Sequence, residues 1–170
     1  TKNGFYIRVN ETANRCYVGH YTCTKYVENL LITIPDDYDG FPVTRIGGTF
    51  GSGVPTPFGT DVSDLYMNAP EGSRYRGIFH EGLIKNNKIT DDYRVEELTF
   101  ILNIGKNIKE IYDVEMDFYY PHINEDGSIT FYHPVVYVIC PDENKYYYSE
   151  NGKLYHKRTN ELVTDFEYSS

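Results

Sequence analysis

What the chain lacks narrows its class before any motif is considered. No run of about 18 apolar residues occurs, so no helical membrane span is expected. Positive charge is scarce: 16 Lys and Arg stand against 25 Asp and Glu, a formal net charge of -9. That field repels nucleic acid and anionic membrane surfaces unless a local patch overrides it. The nearest approach to such a patch is Lys106 with Lys109, and Glu110 follows at once. No glycine-rich phosphate loop precedes a helix; Gly47, Gly48, Gly51 and Gly53 follow a turn, and the dinucleotide fingerprint fails. Cysteine is limited to three residues, an odd count that argues against a disulfide framework. If Cys16 to Cys23 is one strand, the two lie roughly 23 Å apart, too far for a bridge; a turn at Gly19 would bring them within reach. Tryptophan is absent, yet there are 18 tyrosines. Tyrosine packs its ring while its hydroxyl stays wet, which suits half-buried sheet faces, and some of these rings are candidates for a recognition surface. The sequence starts at Thr1 without signal peptide, lipidation motif or initiating methionine, as expected either of a trimmed mature form or of a chain cut for expression, and the question of export stays open.

The 170 residues, 40% of them hydrophobic, are expected to form one domain with its own core. The chain is organised around LLITIPDDYDGFPVTRIGG, Leu30 to Gly48. Apolar residues alternate up to Pro35, the chain turns at Asp39-Gly40, and a second short run carries Val43 and Ile46. LNIGKNIKEI, Leu102 to Ile111, repeats the plan with its breaker at Gly105, and Val138 to Cys140 before Pro141 repeats it again. Ile34, Ile104 and Cys140 then align, 70 and 36 residues apart. The longer interval accommodates three units of about 23 residues. A unit that recurs without burying its own apolar edge must be covered by its neighbour. The expected architecture is mainly β, a short right-handed solenoid with one strand per repeat and hairpin caps, with helix allowed in an insertion.

The expected organisation places an N-terminal hairpin cap at 1–29 and a first repeat at 30–50. An insertion or degenerate repeats at 51–94 follow, then a repeat at 95–120. The last repeat and a C-terminal hairpin, turned at Asn151-Gly152, occupy 121–170.

Three of these segments carry a likeness. ITIPDDYDGFPVTRIGGTF resembles the opening repeat of the BspA-like leucine-rich repeat family. LNIGKNIKEI is similar to its recurring unit, with Gly105 where proline is usual, and PDENKYYYSENGKLYHKRTNELV to the tyrosine-rich hairpin that interrupts or ends such arrays. The resemblance covers about half the chain. It implies a right-handed leucine-rich-repeat solenoid, secretion or display on a bacterial cell, and adhesion or protein binding. It carries over no catalytic residues.

Candidate chemistry is sparse. Cys16, His20 and Cys23 have zinc-ligand side chains, but on a strand 16 and 20 point one way and 23 the other. Cys140 with His133 or His156 has the residue types of a nucleophile pair, although alignment with Ile34 turns Cys140 inward. Asp36, Asp37, Asp39, Glu96, Glu97, Asp142 and Glu143 include enough carboxylates for a glycosidase pair, scattered as solvated turn residues usually are. No metal or cofactor is expected.

The strand faces are more informative. If Ile32 and Ile34, Leu102 and Ile104, and Val138 and Cys140 point inward, the outward set is Leu31, Thr33, Ile101, Asn103, Tyr137 and Ile139. That column is unusually apolar for a solvent face, and Leu31, Ile101 and Tyr137 should sit level with one another. Either another part of the chain covers them or they bind a partner. The expected function is a non-catalytic binding or adhesion module of an exported or surface bacterial protein, with a protein or glycan ligand and with self-association as a further expectation. The alternatives are a structural spacer in a larger surface protein and a glycoside hydrolase.

Overall fold

The alternation of apolar and polar residues at 30–34, 98–104 and 135–140 builds three parallel strands at one level of a sheet. The computed structural model describes residues 5–21, 27–47, 93–112, 120–123, 125–126 and 128–170. It is mainly β, with no helix among the described residues, and includes a curled half-barrel sheet. The expected 51–94 insertion lies, up to residue 92, outside the described residues, as does Cys23.

The strands are β1 (Phe5–Asn10), β2 (Arg15–Tyr21), β3 (Leu30–Thr33), β4 (Asp37–Tyr38), β5 (Phe41–Gly47), β6 (Tyr93–Asn103), β7 (Glu110–Tyr112), β8 (Tyr120–Ile123), β9 (Ile129–Ile139), β10 (Tyr147–Glu150) and β11 (Lys153–His156). One sheet runs β3-β6-β9-β8. Its register pairs Leu31 with Ile101 and Ile101 with Tyr137, and likewise Ile32, Leu102 and Val138. Just beyond the strands the Ile34 amide donates to the Asn103 carbonyl and the Ile104 amide to the Ile139 carbonyl, so Ile34, Ile104 and Cys140 are neighbours.

The second sheet differs from the one-strand-per-repeat expectation. The short run after Asp39-Gly40 is itself a seven-residue strand, β5, parallel to β2 on one side and to β7 on the other. Each of the first two units therefore contributes two strands, β3 with β5 and β6 with β7. The reason is geometric. Turns at Pro35 to Gly40 and at Gly105 to Lys109 send the chain back with Val43, Ile46 and Ile111 facing the core, and backbone at that depth needs ladder partners. The β4–β5 and β10–β11 turns each put two successive residues at positive φ, Asp39 with Gly40 and Asn151 with Gly152, the backbone of a type I′ turn.

The core lies between the ladders. Ile34, Ile46, Leu102, Ile104, Ile108, Val138 and Leu154 are buried to 1% exposure or less. Sealing each from water contributes about 1.5–3 kcal/mol. The free edge of β9 is closed in two pieces. β8 pairs antiparallel with its first residues, and the chain's last residues bond at Val136, whose amide donates to Glu167 and whose carbonyl accepts from Ser169. Tyr168 makes a parallel bridge there, and His133 Nε2 meets Glu167 Oε2 at 2.6 Å.

Polar groups stitch the turns across units. Asp36 Oδ1 accepts the Lys106 amide at 3.1 Å, and Asn107 Nδ2 donates to the Asp36 carbonyl at 3.0 Å. Asn144, with no exposure, donates to the Gly105 and Ile108 carbonyls and accepts from the Tyr146 and Tyr147 amides, all at 2.8–2.9 Å. Every hydrogen-bonding position of that buried amide is satisfied. A Cβ at Gly105 would stand 3.3 Å from Asp36 Oδ1 and 3.4 Å from the Ile34 carbonyl, so a small residue lets the two turns approach.

Candidate functional site

Alternate residues of β3, β6 and β9 form the outward face, and the register places all six expected residues there in two rows. Leu31, Ile101 and Tyr137 make one row and Thr33, Asn103 and Ile139 the next. Solvent reaches them unequally. Leu31 is 58% exposed and Tyr137 41%, and Thr33 is exposed; Ile101, Asn103 and Ile139 are half-buried. The expectation of a uniformly outward column therefore holds at its flanks and is softened in the middle strand, where neighbours on both sides shade Ile101. Farther along β6 the same face carries Val95, 47% exposed.

Tyr137 is held rather than free. Its ring lies over the β10–β11 turn, so close that a Cβ on Gly152 would fall inside it, and the Val138 amide donates to the Gly152 carbonyl at 2.8 Å. The hairpin thus fixes one end of the row as a rigid aromatic edge.

Beyond the strand ends the second row opens onto a shallow hollow of about 440 Å³. Thr33, Asp36, Asn103, Lys106 and Glu143 give it polar walls, and Ile34, Pro35 and Pro141 give it apolar ones. Asp36 is already engaged by the Lys106 amide. The outward strip is consequently apolar at one end and mixed in charge at the other, the anatomy of a surface that excludes water at its centre and hydrogen-bonds at its rim.

The two described cysteines, Cys16 and Cys140, are placed as packing residues. Cys16 is fully buried and donates through Sγ to the Tyr38 and Phe41 carbonyls; burial, then Asp39 and Asp37, push its thiol up. Cys140 packs beside the core with Sγ 3.5 Å from the Tyr147 carbonyl, and burial pushes it up to about 11. Such a thiol stays protonated near neutrality, the opposite of an activated nucleophile. His133, its suggested partner, is taken by Glu167, and His156 tilts against the Tyr147 ring at 5.3 Å. Among the described residues no three His, Cys, Asp or Glu side chains converge as a metal site requires.

Sequence reasoning did not find Asn144, which fixes the loop beside the hollow. A lone asparagine in PDEN reads as a turn residue, and only its burial distinguishes it. No family model, no curated protein and no solved structure matches this chain.

Proposed function

We propose that the chain is a non-catalytic binding module, a short array of BspA-like leucine-rich-repeat units exported to a bacterial surface, whose outward strand face takes a protein partner. The observation that carries this reading is the in-register row Leu31, Ile101 and Tyr137, apolar and exposed at both ends on a rigid parallel ladder. Large side chains held on strands lose little freedom on contact, which favours binding over loose association. The polar hollow at the end of the strip supplies hydrogen-bonding groups at its rim. A spacer is the second reading. Against it stands the occupied edge of β9: an open array offers that edge to the next strand, whereas Val136 already bonds Glu167 and Ser169.

The test is binding of the pure protein to a panel of extracellular-matrix proteins, with sedimentation velocity for self-association, comparing the parent with a Leu31→Glu/Tyr137→Glu variant. The reading predicts at least one interaction or self-assembly in the parent and a loss of tenfold or more in a folded variant. A parent that neither binds nor assembles contradicts it, and so does a folded variant that keeps both.

A further inference from the structure

Charge is unevenly divided along this acidic chain. Residues 145–158, the β10–β11 hairpin and its flanks, hold Lys145, Lys153, Lys157 and Arg158 against the single carboxylate Glu150, a net of +3 that leaves -12 for all other residues. The four cations are exposed. This is the basic patch that reading Lys106 and Lys109 in isolation overlooks.

The same hairpin carries tyrosines in a fixed arrangement. Its inward face sends Leu154 and Tyr147 into the core. Its outward face pairs Tyr148 with Tyr155 and Glu150 with Lys153, and the Lys157 amide bonds the Tyr146 carbonyl to set those two opposite each other. The Tyr148 and Tyr155 rings stack at 5.2 Å, 16° from parallel, and the Tyr148 hydroxyl donates to Asn160 Oδ1. Tyr146 is 48% exposed beside them. Lys157 Nζ is anchored on the Asp142 and Asn144 carbonyls, which holds its charge at the end of the ring row.

We propose that this outward hairpin face is a binding site for an anionic polysaccharide. The axial C–H groups of a pyranose carry slight positive charge and settle on the electron-rich face of an aromatic ring. The surrounding ammonium and guanidinium groups pair with carboxylate or sulfate on the same chain. Charge complementarity selects the anionic ligand, since residues 145–158 carry a net of +3 in a chain whose net charge is -9. Nucleic acid fits less well. Its denser charge, one per about 1.7 Å of duplex axis, would meet repulsion from the rest of the molecule, and the closed Tyr148–Tyr155 stack admits no base between its rings.

The experiment is affinity electrophoresis of the whole chain in gels containing polygalacturonate, dextran sulfate or unmodified dextran, with oligo(dT) binding measured in parallel by fluorescence anisotropy. The expected result is retardation by one or both anionic polysaccharides, none by dextran, and weaker binding to oligo(dT). The stronger anionic gel assigns carboxylate or sulfate as the preferred group. Tyr148→Ala should weaken binding at least tenfold. Lys153→Ala/Arg158→Ala, which changes only exposed side chains, should do the same with the fold intact. Arg94→Ala, a cation outside the hairpin, should stay within twofold of the parent. The proposal is overturned by no retardation in either anionic gel, by equal retardation in dextran, or by oligo(dT) binding as tight as the polysaccharide. It also falls if the folded Lys153→Ala/Arg158→Ala variant binds like the parent, or if Arg94→Ala weakens binding equally.

Discussion

The two faces of the β3-β6-β9 ladder share a backbone and a register, yet their side chains meet different surroundings. Inward, Ile32, Leu102 and Val138 are at most 5% exposed and touch the opposite strands of the core. Outward, Leu31 is 58% exposed and Tyr137 41%, its ring resting on the Gly152 turn, while Ile101 between them is shaded. The inner row is close-packed and intolerant of lost volume, whereas in the outer row Leu31 keeps its apolar area for contact and Tyr137 divides its ring between solvent and the Gly152 turn.

Cutting the inner row is the strongest way to sharpen that contrast. Leu102→Ala should cost about 2–5 kcal/mol in urea unfolding, because a cavity opens at a site with no exposure. A loss below about 1 kcal/mol would mean that the core is loosely filled. Next comes Asn144→Ala, which strands the Gly105 and Ile108 carbonyls and two amides beside the inner row. It should cost about 2–3 kcal/mol, measured the same way; a neutral outcome would show that water replaces the side chain.

A smaller effect separates the faces by pH. Cys140 sits at the inner level beside Ile104, its thiol raised by burial from 9.0 to about 11. The fold favours the protonated thiol, so its contribution is intact below pH 9 and declines as pH rises through 11. At pH 10 the loss should be on the order of 1 kcal/mol relative to pH 8. Tyr147 and Tyr168, raised to about 12 by burial, extend the decline from pH 10 upward. Cys140→Ala should remove the Cys140 share of the decline between pH 9 and 11 and leave the share of Cys16, whose thiol burial also raises, and the tyrosine part. A Cys140→Ala variant with an unchanged pH profile would place the titration elsewhere.

Much of the ladder was legible because strand alternation and a following breaker are local signals. The spacing of Ile34, Ile104 and Cys140 aligned residues that lie side by side, and Asn151-Gly152 marked the hairpin turn through its need for two positive φ angles. What was not legible depends on partners distant in sequence. Nothing in FPVTRIG announces that β5 will lie between β2 and β7, and nothing in FEYSS that it will line the edge of β9. The outward position of Tyr137 was readable, but its packing against Gly152, fifteen residues on, was not. Of the outward strand face, the shared level of Leu31, Ile101 and Tyr137 was readable; the shading of Ile101 and the hollow were not, since both depend on neighbours distant in sequence.

The smallest expected effect tests the central claim most directly: the urea unfolding free energy of the Leu31→Glu variant, at the most exposed position of the outer row, against its parent. If the outer row is a contact surface, the two agree within about 1 kcal/mol, as exposed substitutions do. A loss of about 3 kcal/mol or more would contradict the account and make the outer row part of the core.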